Sequence, residues 1–357
     1  MPTIQERAEI STAMLGLALT FTMLGLIASQ AAAGALVARF GSRGLVTLGL
    51  LGWSLALIPV AVAESFAVLA VGLAMVGLAN GLLDVSMNVH GLTVEQELRR
   101  PMFTGLHAAF SFGGLGGAAV GALVAGLGVG VAPHLLAASA AAVAIGLATR
   151  PLLLPAGADA APGGPLLAVP TRGLVAVGAL AFCTLLAEGA VNDWAAVYLD
   201  GELGTTEAVA ATGLAVFSLT MGIGRLAGDR LAAGFGPVRL TRAGAALAAL
   251  GMSLTLVSDL APLALAGFAV AGLGLATLFP MALRAAGRHG ESVGPSVAAV
   301  AGCGYLGLLT GPPSVGGLSE LTGSLRTALV LVVVLCLAAV GLAGSVREPP
   351  GPGTPRG

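Results

Sequence analysis

Residues 34–52, GALVARFGSRGLVTLGLLG, and residues 224–244, GRLAGDRLAAGFGPVRLTRAG, are two versions of one device. In each, an apolar helix runs out into Gly and Arg, turns through a tight basic loop and re-enters an apolar run. A guanidinium-rich hairpin between two apolar runs belongs at the edge of a bilayer. Its presence in both halves of one chain predicts a membrane bundle built from two related sets of helices.

Composition leads to the same place. Of the 357 residues, 9% are charged and 57% hydrophobic, and the mean hydropathy is +0.98. A soluble domain is roughly a quarter charged, so this chain cannot cover a compact surface in water. It is also too apolar to stay unfolded. Soluble enzyme, fibre and disordered linker are excluded. Runs long enough to span, about 20 apolar residues each, lie near 12–36, 45–63, 66–92, 104–127, 133–149, 173–199, 208–231, 238–257, 262–285, 295–317 and 325–345. They do not alternate as barrel strands of about 10 residues would. Glu6, Arg7 and Glu9 precede the first run, which therefore does not read as a secretory signal.

The loops alternate in charge. One set carries Arg39, Arg43, Arg99, Arg100, Arg150, Arg172, Arg225, Arg230, Arg239, Arg242, Arg284, Arg288, Arg347 and Arg356, which is 14 of the 16 Arg. The other set is acidic. Arginine-rich loops stay in the cytoplasm, so the C-terminus and the 150–172 loop are expected inside and the N-terminus as given outside. There is no Lys, which excludes a P-loop and Schiff-base cofactors. A net charge of -1 offers nucleic acid no basic surface. Cys183, Cys303 and Cys336 lie inside apolar runs and read as small buried hydrophobes. The four His are scattered singly, so no metal set is expected. Gly302-x-Gly304-x-x-Gly307 matches a dinucleotide fingerprint in letters alone, because it lies within a span. No cofactor is expected, and no enzyme.

Residues 151–171 contain five Pro and no helical period, which reads as a flexible linker. The expected division is 1–150 with five spans, 151–172 as cytoplasmic linker, 173–346 with six spans and 347–357 as a cytoplasmic tail. Five spans against six, with an acidic outer start, predicts a 6+6 protein whose first span is missing from the sequence as given. The alternative is a genuine 11-span protein.

Two such halves about a central linker resemble the major facilitator superfamily. Gly34-Ala-Leu36-Val-Ala38-Arg39-Phe-Gly41-Ser-Arg43 resembles the family's G-x-L-x-D-R-x-G-x-R loop, with Ala38 at the Asp position. Gly224-Arg-Leu226-Ala-Gly228-Asp229-Arg230 keeps an acid beside an Arg, with looser spacing. In the family this loop latches the halves on the cytoplasmic side. The resemblance thus makes Arg39, Arg43, Asp229 and Arg230 gate candidates; a basic loop that only sets topology is the other reading. Asn80-Gly-Leu-Leu-Asp84-Val-Ser-Met-Asn88 resembles the fourth-span motif of the fucose-permease-like branch. There the matching acid is linked to proton coupling and substrate binding, roles that the resemblance passes to Asp84, with Asn88 as a polar ligand. The spacing of four stacks both on one helix face. A carboxylate inside an apolar span is costly and usually functional; pairing with, for instance, His107 is the structural alternative.

His107 opens the fifth run about a turn in from the loop, either as a proton shuttle or as a cap of the inner mouth. Glu188 is a second intramembrane acid, placed outward of the midplane, with Asn192 one turn on. Asp193, Trp194 and Tyr198 read as the outer end with its aromatic anchor. Gly113, Gly117 and Gly121 read as close helix packing. Pro280 interrupts the tenth span of the complete pattern about as deep as Asp84 lies, which points to a transport path, whereas Pro312-Pro313 reads as a tolerated kink.

The expectation is an all-α membrane protein, a major-facilitator-type bundle of about 11 helices. It would move a small polar solute such as a sugar by alternating access, with the proton as coupling ion, in contact with membrane lipid, as a monomer in the plasma membrane. The alternatives are a drug or metabolite exporter and a transport-inactive sensor or assembly subunit of the same fold.

Overall fold

The structure, a computed structural model, describes residues 4, 7–160, 170–289 and 292–347. Among them there is no strand. The helices are α1 (Thr12–Phe40), α2 (Ser42–Ala61), α3 (Phe66–Leu98), α4 (Phe103–Gly126), α5 (Val131–Thr149), α6 (Val175–Gly201), α7 (Glu207–Phe235), α8 (Pro237–Val257), α9 (Ala261–Leu275), α10 (Leu278–His289), α11 (Val293–Thr322), α12 (Leu325–Ala328) and α13 (Val330–Leu342). They supply 11 segments long and apolar enough to cross a membrane, with α9–α10 and α12–α13 each counting as one.

Two compact units emerge. The first comprises residues 1–97, 114–169 and 291–302; the second comprises 98–113, 170–290 and 303–357. The start of α4 therefore packs within the second unit, and the start of α11 within the first.

In the first unit α1 and α3 cross closely, because a Cβ on Gly77 or Gly81 would strike the Thr22 or Leu26 carbonyl. Small residues at a crossing let helix backbones approach where no hydrophobic effect drives them together. Ser139 Oγ on α5 donates to the Ser54 carbonyl of α2 (2.6 Å). In the second unit α8 and α9 meet through Gly244, Gly251, Gly267 and Gly274. Tyr198 on α6 donates to the Thr255 carbonyl of α8 (2.9 Å).

The two basic hairpins share one backbone. Gly41 (φ 74°, ψ 163°) joins α1 to α2, and Gly236 (φ 77°, ψ 155°) joins α7 to α8. This region is essentially closed to residues with a Cβ. Each Gly follows a Phe, and the repeat extends at the same spacing: Gly77 meets the carbonyl of Thr22, and Gly272 meets that of Phe217. On this register Gly34 matches Asp229, and Gln30 matches Arg225. The looser spacing of the second basic loop thus reflects a register set by Phe-Gly rather than by Gly34 and Gly224.

The linker is less free than its prolines imply. Ser42 N donates to Asp159 Oδ1 (2.8 Å), and Leu154 N donates to His90 Nε2 (3.4 Å). A neutral His90 then carries its proton on Nδ1, which donates to Ser42 Oγ (2.7 Å). Residues 150–160 are therefore tied to α2 and α3; the rest of the expected flexible stretch up to 169 lies outside the described residues. Pro312 and Pro313 leave α11 continuous. Near Pro280 the helix is broken, at Ala276 and Thr277 between α9 and α10.

Candidate functional site

Two polar residues one turn apart on α7 organise the second unit. Asp229, buried, accepts from Arg284 Nη2 on α10 (2.7 Å) and from the Thr104 (3.1 Å) and Gly105 (2.8 Å) amides in the first turn of α4. Those amides lack intrahelical partners, and the N-terminal end of a helix favours negative charge. The carboxylate thus closes a salt bridge and caps a helix at once.

Arg225, buried, reaches three other groups. Its Nη1 donates to Ser111 Oγ on α4 (2.7 Å), its Nε donates to the Ala276 carbonyl (3.3 Å), and its Nη2 lies 3.4 Å from both oxygens of Glu188 on α6. The Ala276 bond explains itself from sequence. Pro280 has no N–H to give the carbonyl four residues back, and the guanidinium fills the vacancy. Both rungs hold the same elements: α4, α7 and the α9–α10 span.

His107 lies between the rungs along α4. Its ring stands edge-on to Phe103 (5.1 Å) and Phe279 (6.2 Å). Its buried Nε2 makes no hydrogen bond among the described residues.

In the first unit Asp84 is buried on α3. Gln30 Nε2 of α1 donates to its Oδ2 (3.1 Å) and Asn88 Nδ2 to its Oδ1 (3.1 Å), and the same Asn88 nitrogen also bonds the Asp84 carbonyl (2.8 Å). Spacing alone put Asp84 and Asn88 on one face, and the structure joins them. At the position matching Asp229, Gly34 instead lies flat on the start of α11: its absent Cβ would sit 2.8 Å from the Gly294 carbonyl oxygen and the Pro295 Cα.

The remaining candidates stand apart. Asn192 is exposed one turn beyond Glu188. Arg39 is exposed with its guanidinium 5.2 Å from the Phe40 ring centre, and Arg43 is partly buried. Neither pairs with an acid among the described residues. Arg230 is exposed and borders, with Arg100, Leu106 and Ala233, a cavity of 790 Å³. The acid–base partner of Asp229 is Arg284, not its neighbour Arg230, because consecutive residues on a helix point about 100° apart.

Arg225 and Arg284 correct the loop assignment read from the sequence, since both lie inside helices and are buried. Glu188 falls near the middle of α6. Sequence reasoning missed Gln30, Arg225 and Arg284 as site residues. The signal for Arg225 was its spacing of four from Asp229; for Gln30 it was an amide alone in an apolar run.

Residues 177–357 match the sequence profile of the Major Facilitator Superfamily. An uncharacterized MFS-type transporter of Yersinia pestis is 32% identical over 351 residues, which cover 98% of this chain and 90% of that one. In fold the chain is similar to the fucose:proton symporter FucP of E. coli, with TM-score 0.77, 18% identity and coverage of 98% of this chain and 93% of the other. It is also similar to the proton:xylose symporter XylE bound to 6-bromo-6-deoxy-D-glucose, with TM-score 0.73, 14% identity and coverage of 92% and 84%.

Proposed function

The chain belongs to the major facilitator superfamily, and we propose that it is a secondary active transporter of the plasma membrane that couples a small polar solute, such as a sugar, to protons by alternating access. One observation carries the reading: two carboxylates, Asp84 and Glu188, are held inside apolar spans by designated donors, Gln30 and Asn88 for one and Arg225 for the other. An acid at that depth is expensive and persists where it does work. A carboxylate that accepts two amide bonds can hold its charge in one state and take a proton in another as its surroundings change. The two solved symporters of similar fold support the coupling ion and the solute class.

In this reading Asn88 adds a ligand for the solute, and Asn192 extends the Glu188 site outward. His107, aromatic-ringed with a free ring nitrogen, relays protons along α4. Arginine-rich loops face the cytoplasm, which puts the Asp229–Arg284 clasp and its cap on α4 at the inner side as the cytoplasmic latch. Arg39, Arg43 and Arg230 then serve as interfacial charge on the cytoplasmic side. Alternation requires the clasp to part, because α4 comes from the N-terminal half of the sequence and α7 and α10 from the C-terminal half.

The test is uptake into proteoliposomes driven by an inward proton gradient, across a panel of labelled hexoses, pentoses and polyols. Accumulation of at least one that collapses with a protonophore supports the reading. Gradient-independent or absent flux for the whole panel contradicts it.

A further inference from the structure

We propose that Arg225 is the positioning residue through which the charge on Glu188 holds the Asp229 latch shut. This rests on the reading of Glu188 as a group that takes up a proton, and it adds the route by which that proton reaches the gate.

Arg225 and Asp229 are four residues apart on α7, so they lie on one face a single turn apart. Each is buried and each grips α4 and the α9–α10 span, Arg225 at Ser111 and Ala276, Asp229 at Thr104, Gly105 and Arg284. The Arg225 rung differs in one respect: its third partner, Glu188, is an acid within the membrane. The elements around this pair carry further titratable or charged side chains, among them Cys183 and Asp193 on α6, Asp229 and Arg230 on α7, Arg284 and Arg288 on α10, His107 on α4, Cys303 and Tyr305 on α11 and Cys336 on α13. Among the described residues Arg225 is the one cation paired with Glu188.

Protonation of Glu188 removes the charge that compensates the buried Arg225 guanidinium, and a buried charge left uncompensated is costly. The guanidinium then seeks another carboxylate. Asp229 is the acid on its own helix face, within the reach of an i,i+4 pair. A turn of Arg225 toward Asp229 competes with Arg284 and with the α4 amides, and it vacates the Ala276 carbonyl at the helix break. Both changes loosen the same contact. The first half of the repeat has no such device, since the matching positions are the uncharged Gln30 and Gly34.

The test reads the latch without transport. Spin labels are placed by cysteine substitution at Leu106 on α4 and Ala233 on α7, exposed positions that flank the cavity beside Asp229. Distance distributions are measured on the full chain in lipid nanodiscs, without solute, between pH 8 and pH 4. The expected result is one short distance at high pH and a growing longer population, at least threefold, as the pH falls. Glu188→Gln shows the longer population at every pH. Arg225→Met flattens the pH profile, and Arg225→Lys, which keeps the charge, restores part of it.

A wild-type distance indifferent to pH together with an unchanged Glu188→Gln would overturn the proposal. So would an Arg225→Met protein that keeps the full pH response. If Arg225→Met does not fold, the wild type, Glu188→Gln and Arg225→Lys still decide. Proton-driven uptake separates the two claims. Uptake that depends on Glu188 with pH-blind labels sinks this route and leaves the transport reading, whereas pH-sensitive labels in a protein that moves no proton support the route and sink the transport reading.

Discussion

Asp229 and Arg284 form a 2.7 Å salt bridge between α7 and α10, and the same carboxylate caps the first turn of α4. Its neighbour Arg230 stays at the surface. Three elements are therefore held by one buried oxygen pair. Breaking one partner of a buried ion pair costs about 3–5 kcal/mol.

Asp229→Asn and Arg284→Gln are each expected to lower the melting temperature of the purified protein markedly. The double variant should be far from additive, with a coupling of about 0.5–3 kcal/mol in a thermal or denaturant cycle. Arg230→Gln should stay within about 0.5 kcal/mol of the parent, as surface substitutions do. Equal losses for Arg230→Gln and Arg284→Gln would refute the assignment.

Gly34 lies where a methyl group has no room against Gly294 and Pro295. Gly34→Ala should destabilise by about 1–3 kcal/mol, the usual cost of overpacking. Gly44, around which nothing lies within 4 Å, is the control, and its Ala variant should be near neutral. Thermal shift assays on both variants check the difference.

Pro280→Ala returns an N–H to compete for the Ala276 carbonyl. Proline inside a helix costs about 3 kcal/mol relative to Ala, so the α9–α10 break should heal. The expected outcome is an unchanged or higher melting temperature with turnover reduced several-fold. Turnover equal to the parent would show that the break has no part in the cycle.

Gln30→Leu removes a side-chain amide that donates to Asp84, as Asn88 also does. A carboxylate that loses a donor to its charged form becomes easier to protonate. The pH optimum of uptake should move upward, and Asn88→Leu should move it the same way. A downward move in either variant would contradict the arrangement.

How much of this could be read in advance differs by residue. The fold was legible because bilayer thickness and the cost of unpaired backbone groups impose long apolar helices. Asp84 and Glu188 were legible because a charge in an apolar run announces itself. Asp84 with Asn88 was legible because helical spacing is a local rule. The role of Arg284 was not, because an arginine within a turn or two of a loop satisfies the same charge pattern whether it faces water or Asp229. Arg225 was hidden because its charge reads as part of the basic hairpin, although it lies well inside α7, and Gln30 because an uncharged amide perturbs hydropathy too little to stand out. The partners of Asp229 on α4 are backbone amides more than a hundred residues away, and no side-chain pattern encodes them.

The most direct test of the central claim is a pH-electrode record of lightly buffered proteoliposomes on addition of a transported solute. Wild-type vesicles should give an alkaline shift outside. Asp84→Asn and Glu188→Gln should give none, although both variants still exchange labelled for unlabelled solute. Solute entry without any proton movement in the wild type, or an undiminished shift in both variants, would contradict it.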